Sequence, residues 1–127
     1  MESLIHLDTH AVVYLYAGQL NVFTKRTISA LEKSLLCISD IVRLELQYLF
    51  EINRITANAG DIISDLSNEI GLVISPNSSQ RVIDKAISLD FTRDPFDRII
   101  VADAILEDAI LVTKDRKIAK FYHKTIW

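Results

Sequence analysis

The chain has 127 residues, 14 basic and 17 acidic, for a formal net charge of −3. That length fits one domain, and the acidic balance argues against a general nucleic-acid-coating surface, though not against an enzyme that grips a polyanion locally. Half of the residues are hydrophobic, with only 3 Gly and 2 Pro, so a packed core is expected and disorder is not.

Short apolar runs alternate with helical stretches, the pattern of an α/β fold with a largely parallel sheet. Residues 3–7 read as a first strand ending at Asp8. Residues 9–17 are a short helix stopped by Gly18, and residues 22–34 a second helix with Ile28 and Leu31 facing inward. Residues 35–38 form a buried strand. Ser39 is placed to N-cap a helix over about 40–53. Residues 59–70 are helical and closed by Gly71, and residues 72–75 form a third strand stopped by Pro76. The 79–89 segment is helical, with Val82, Ile83, Ala86, Ile87 and Leu89 on its apolar side. A polar loop over 90–94 leads to Pro95, which suits a first helical turn. That helix runs to about Glu107. Residues 110–113 are a fourth strand, 116–121 a short helix, and 125–127 a short edge strand.

The 40–53 helix carries two apolar stripes, one of Ile41, Leu44, Tyr48 and Ile52, the other of Val42, Leu46, Leu49 and Phe50. A helix apolar on two sides is buried all round or packs on a partner. In so small a domain a homodimer contact is the favoured reading. A mean hydropathy of +0.23 agrees with extra apolar surface.

The single cysteine, Cys37, excludes an intrachain disulfide and lies in an apolar run, as a buried structural thiol does. Met1-Glu2-Ser3 has no basic leader character and Asp8 interrupts the first apolar stretch, so no signal peptide is expected. No uninterrupted apolar run approaches the roughly 18 residues of a membrane span. A cytoplasmic location is the default expectation.

The informative residues are Asp8, Glu45, Asp97 and Asp115. In a parallel α/β sheet, ligands bind outside the carboxyl ends of the strands. Asp8 ends strand one, Asp115 follows strand four, Glu45 lies in the helix after strand two, and Asp97 lies in the first turn of the helix before strand four. Singly, each has an ordinary role. Asp8 and Asp115 suit helix caps, and Glu45 suits a solvated helix face, although its neighbours Leu44 and Leu46 make a carboxylate there costly unless satisfied. Together and in this order they point to one site. Two unit charges ~4 Å apart repel by about 4 kcal/mol at an effective dielectric of 20, so converging carboxylates raise their pKa values or bind a cation. The cation that suits oxygen donors is Mg²⁺ or Mn²⁺.

Thr9 and Thr113 are placed to support the carboxylates, and Asp94 to cap the helix at Pro95. Lys114, Arg116, Lys117, Lys120 and Lys124 crowd the stretch around Asp115, where a phosphate backbone would meet them; a solvated helix face accounts for most of them equally well. Arg98 either meets phosphate or tethers an acid. His6, His10 and His123 lack metal-ligand spacing, no Cys–His set exists for zinc, and no Gly-rich phosphate loop is present.

The segments Leu7-Asp8-Thr9-His10-Ala11, Ile38-Ser39 followed by Glu45, Arg93-Asp94-Pro95-Phe96-Asp97-Arg98 and Leu111-Val112-Thr113-Lys114-Asp115 resemble the PIN-domain family, and most of all its VapC-type toxins of toxin–antitoxin pairs. The resemblance spans nearly the whole chain as one domain, residues 1–127. It implies a three-layer α/β/α sandwich around a parallel sheet of four or five strands. It also implies a Mg²⁺- or Mn²⁺-dependent endoribonuclease with its acidic quartet at Asp8, Glu45, Asp97 and Asp115, an RNA substrate, a homodimer, and an antitoxin partner that blocks the site. The short C-terminal strand is the point of departure, which puts a fifth strand in question. Besides a catalytically idle PIN-like interaction protein, against which the retained quartet speaks, two other readings stand beside it. One is a PIN-type nuclease that processes RNA without an antitoxin. The other is a phospho-receiver module, for which Thr113-Lys114 fits but the end of strand three, Ser75-Pro76, offers no acceptor aspartate.

Overall fold

The structure is a computed structural model that describes residues 3–127. Among these residues five strands form: β1 (Ser3–Leu7), β2 (Ser34–Ile38), β3 (Val73–Ile74), β4 (Ile110–Val112) and β5 (Thr125–Ile126). Seven α-helices connect them: α1 (Thr9–Tyr16), α2 (Lys25–Lys33), α3 (Ile41–Glu51), α4 (Ala59–Ile70), α5 (Ser79–Ile87), α6 (Pro95–Leu106) and α7 (Arg116–Phe121). All strand pairs are parallel, in the order β3-β2-β1-β4-β5.

Successive strand residues point to opposite faces of a sheet. Ile5, His6 and Leu7 are nevertheless all buried, as are Leu36, Cys37 and Ile38. Both faces of the sheet are therefore covered by helices, which makes the fold a three-layer α/β/α sandwich. Apolar runs without alternation are what such strands require. Cys37, a buried neighbour of His6 in the β1–β2 register, has its thiol pushed up to about 12, first by burial and then by the charges of Asp103 and Glu107. It is an inert core thiol.

The order of the strands fixes where a ligand fits. From β1 the chain winds outward through β2 to β3, then crosses back to place β4 on the other side of β1. The crevice between β1 and β4, at their carboxyl ends, is the topological switch point. Asp8 extends that ladder by one bond, its amide donating to the Val112 carbonyl at 3.1 Å. Asp8 and the segment after β4 are held side by side by backbone pairing.

The helix starts are capped as short polar side chains dictate. Asp8, Thr24, Asn58, Ser78, Asp94 and Asp115 each accept an amide hydrogen bond at the first turn of the helix that follows. Gly71 ends α4 in the left-handed region at φ 70°, where a side chain would be strained.

Three expectations are corrected, and the open question of a fifth strand is answered. Ser39 does not cap α3. It is buried, and its backbone carbonyl accepts from Val42, while Asp40 occupies the cap position without its side chain accepting from a helix amide. The helix expected over 22–34 starts three residues later, because the Thr24 side chain accepts from the Thr27 amide and fixes the boundary; Leu20–Val22 is a separate 3₁₀ turn. On α5 only Val82 and Ala86 are buried, with Leu89 just beyond it, whereas Ile83 and Ile87 face outward. The fifth strand exists, paired parallel to β4 through Leu111–Thr125 and Val112–Ile126.

Helix α3 is not fully buried. Val42 and Leu46 enter the core, but Leu44 is 58% and Tyr48 50% exposed. No helix among the described residues is long and apolar enough to cross a membrane.

Candidate active site

The four acids found in the sequence come together. Asp8, Glu45, Asp97 and Asp115 line one cavity of about 520 Å³, joined by Asp94, Thr9, His10, Lys114 and Arg116, with Ile100 among the apolar lining. Each acid is delivered by a different element. Asp8 is the last extended residue after β1 and caps α1 through the Ala11 amide at 2.9 Å. Asp115 caps α7 through the Ile118 amide at 3.0 Å. Asp94 caps α6 through the amides of Phe96 and Asp97, which holds Asp97 in the first turn of that helix. Glu45 comes from the second turn of α3 and is tied across the site by the Thr9 hydroxyl.

Asp8, Asp94 and Asp115 each cap a helix and also line the cavity. One carboxylate oxygen holds the helix start, and the group as a whole still faces the cavity. Thr9 supports a carboxylate directly, whereas Thr113 holds the backbone of an acid. Thr9 donates to Glu45, and the Thr113 hydroxyl accepts from the Asp115 amide at 3.1 Å.

The electrostatics show strain among the acids. Asp97 is pushed up to about 7, first by burial and then by the charges of Asp94, Asp115, Glu45 and Asp8. Burial also raises Asp8, and the Thr113 side chain and the Ala11 amide pull it part of the way back. Glu45 is raised by burial, against the hydrogen bond from Thr9. Three carboxyls whose ionisation is disfavoured share one pocket, and a cation bound beside them would relieve that cost. The donors are all oxygens, the chemistry that Mg²⁺ and Mn²⁺ prefer. Among the described residues no three His, Cys, Asp or Glu side chains stand close enough as a group to hold an ion by themselves.

Arg98 leaves the site. Its guanidinium donates to the carbonyls of Ala86 and Ile87 at the end of α5, where a cation complements the helix dipole. Lys124 is also spent elsewhere, paired with Asp108 at 2.8 Å. His10, Lys114 and Arg116 remain at the cavity. The aromatic pair Tyr14 and Trp127, which stands against Lys114, carried no signal in the sequence, because the two residues are far apart along the chain.

The architecture is a five-stranded parallel α/β sandwich with an acidic cavity at its switch point. The family profile of the PIN domain matches residues 5–124, and the chain belongs to that family. Among solved structures it is similar to a chain of the crystal structure of VapBC2 from Rickettsia felis bound to a DNA fragment from their promoter. The TM-score is 0.65 at 20% sequence identity, covering 97% of this chain and 96% of that one. That likeness is one of fold. No curated protein is matched by the sequence.

Membership in this family displaces the receiver reading. Strand β3 lies at the sheet edge, so the lack of an aspartate at its end does not bear on that reading; the central strand β1 is followed by an aspartate, Asp8.

Proposed function

We propose that the chain is a Mg²⁺- or Mn²⁺-dependent endoribonuclease and the toxin of a toxin–antitoxin pair. The observation that carries the nuclease reading is the convergence of Asp8, Glu45, Asp97 and Asp115 on one cavity with Asp97 pushed up to about 7. Asp8 and Asp97 are assigned as the principal ligands, with Glu45 and Asp115 completing the set directly or through water. A bound divalent ion supplies Lewis acidity at the phosphoryl oxygens and lowers the pKa of water. The chain's own carboxylates position that ion, and one of them takes the proton of the attacking water. Asp8 and Asp115 stay in place because each also holds a helix start, so the site is organised before substrate arrives. Membership in the PIN family and the fold shared with a chain of VapBC2 support the toxin reading.

We also infer a homodimer, supported by one continuous apolar surface. Leu44 of α3 and Ile83 of α5 share one groove, Ile83 and Ile87 share the next, and Ile87 is 69% exposed. Light scattering on the purified chain should give twice the monomer mass, and Leu44→Asp or Ile87→Asp should give the monomer.

The decisive experiment is expression in a bacterium of wild type beside Asp8→Asn. Growth arrest with RNA fragments for the wild type, and neither for the variant, supports nuclease and toxin together. Metal-dependent RNA cleavage by purified protein without growth arrest leaves the nuclease and points to an RNA-processing role. Undiminished cleavage by Asp8→Asn, or after thorough chelation, refutes the metal assignment.

A further inference from the structure

An acidic cavity is a poor host for a polyanion. Five carboxylates line it, from Asp8, Glu45, Asp94, Asp97 and Asp115. RNA entering it needs positive charge at the rim that the acids have not already taken. Lys114 lines that cavity, yet its ammonium is bonded to none of these acids. The ion pairs found among the described residues are Arg43 with Asp40 and Lys124 with Asp108. Lys114 Nζ instead donates to the Tyr14 hydroxyl at 3.1 Å. It lies 4.9 Å from the centre of the Tyr14 ring and 5.8 Å from that of Trp127, within the range of a cation–π contact.

The two rings are anchored by the elements that carry them. Tyr14 belongs to α1, the helix that Asp8 caps. Trp127 meets Tyr14 edge-on at 5.8 Å and packs on Phe23 at 4.6 Å. The backbone carbonyl of Trp127 accepts from both the amide and the hydroxyl of Thr24. Lys114 itself sits between Thr113 and Asp115, whose own side chains are engaged in the site. An ion pair with one of the five acids would offset the field of that ammonium. Ring faces and one neutral hydroxyl hold the ammonium without neutralising it, and they leave other N–H donors of the three available.

We propose that Lys114 is the phosphate-binding residue at the rim of this site, and that Tyr14 and Trp127 are positioning residues that keep its charge off the carboxylates and available to an RNA phosphate. The proposal rests on the endoribonuclease reading and extends it to the substrate's backbone. A lysine ammonium is a point charge suited to phosphate without selecting a base.

The test is direct binding of a fluorescent single-stranded oligoribonucleotide, read by anisotropy in chelator so that nothing is cleaved, across a range of salt concentrations. Lys114→Met should bind more weakly. The slope of log affinity against log salt should become shallower by about 0.7, the loss of one phosphate contact on a single strand. Lys114→Arg should restore the wild-type slope. Tyr14→Phe keeps the ring and loses the hydroxyl; it should weaken binding less than Lys114→Met, and the double variant should bind no worse than Lys114→Met alone. A wild-type slope in Lys114→Met, with the thermal midpoint unchanged, overturns the proposal. Full additivity of Tyr14→Phe and Lys114→Met overturns the positioning role. If the wild type cleaves RNA with Mg²⁺ while Lys114→Met keeps the wild-type slope, this inference alone falls. If the wild type neither binds nor cleaves RNA, the endoribonuclease reading falls with it.

Discussion

The Thr9 hydroxyl donates to the Glu45 carboxylate, joining the first residue of the helix after β1 to the second turn of the helix after β2. Thr9 is buried and Glu45 half-buried, so the bond fixes one acid relative to the segment that carries another, Asp8. Thr9→Val keeps the shape and removes the donor. A buried hydrogen bond to a charged group contributes about 1.5–3 kcal/mol. Urea denaturation should show a loss of about that size or somewhat less, since Glu45 retains access to water. RNA cleavage should fall in parallel, and Thr9→Ser should recover most of both.

Asp97 makes the unliganded protein sensitive to pH. Its folded value is about 7 against an ordinary 3.8. Between those values the folded chain binds more protons than the unfolded chain, so this group's contribution to stability falls as pH rises from about 4 to about 7. Asp97→Asn removes it. In chelator, the melting temperature of Asp97→Asn relative to wild type should therefore climb across that window, and Mg²⁺ should raise the wild type far more than the variant. Parallel melting curves for the two proteins across the window would contradict the clustering of charge on Asp97.

Asp8 serves two purposes that different substitutions separate. Asparagine is as good a helix cap as aspartate and carries no charge. Asp8→Asn should abolish cleavage while leaving the metal-free protein at least as stable, because burial already disfavours the ionised carboxyl. Asp8→Ala should abolish cleavage as well and lose about 1 kcal/mol of stability from the bond to the Ala11 amide. Chemical denaturation of the two variants side by side measures the difference.

His6 sits in the central strand, 1% exposed, with neither ring nitrogen paired to a protein group. Burial lowers its pKa below 6.5, against the charges of Asp103 and Glu107. A base with a lowered folded pKa contributes stability above its unfolded value and loses it as pH falls, because the unfolded chain takes up the proton first. His6→Leu removes a buried polar group whose desolvation costs about 1–3 kcal/mol. The variant should be more stable than wild type at pH 7.5, with the gap widening below about 6.5, as read by denaturation at a series of pH values.

Helix and strand identity were legible from spacing. Residues 3–7, the 59–70 helix stopped by Gly71 and the 116–121 helix lie where the apolar pattern and the capping residues place them. One error fell where two capping options competed locally. Ser39 and Asp40 both suit a helix start, and burial of Ser39 against the core decided between them. Arg98 adjoins Asp97 in sequence but leaves the site, because a residue one position along a helix points to a different face.

By itself the sequence determined which residues are strands, which are helices and which carboxylates lie at their ends, since those follow from periodicity and capping within a few residues. Only the tertiary structure decided that β4 returns to the far side of β1. That single crossing brings Asp115 beside Asp8 and carries Lys114 to the aromatic pair of Tyr14 and Trp127. Sequence spacing carries no record of such proximity, because it arises from which strand edges remain unpaired when the chain turns back.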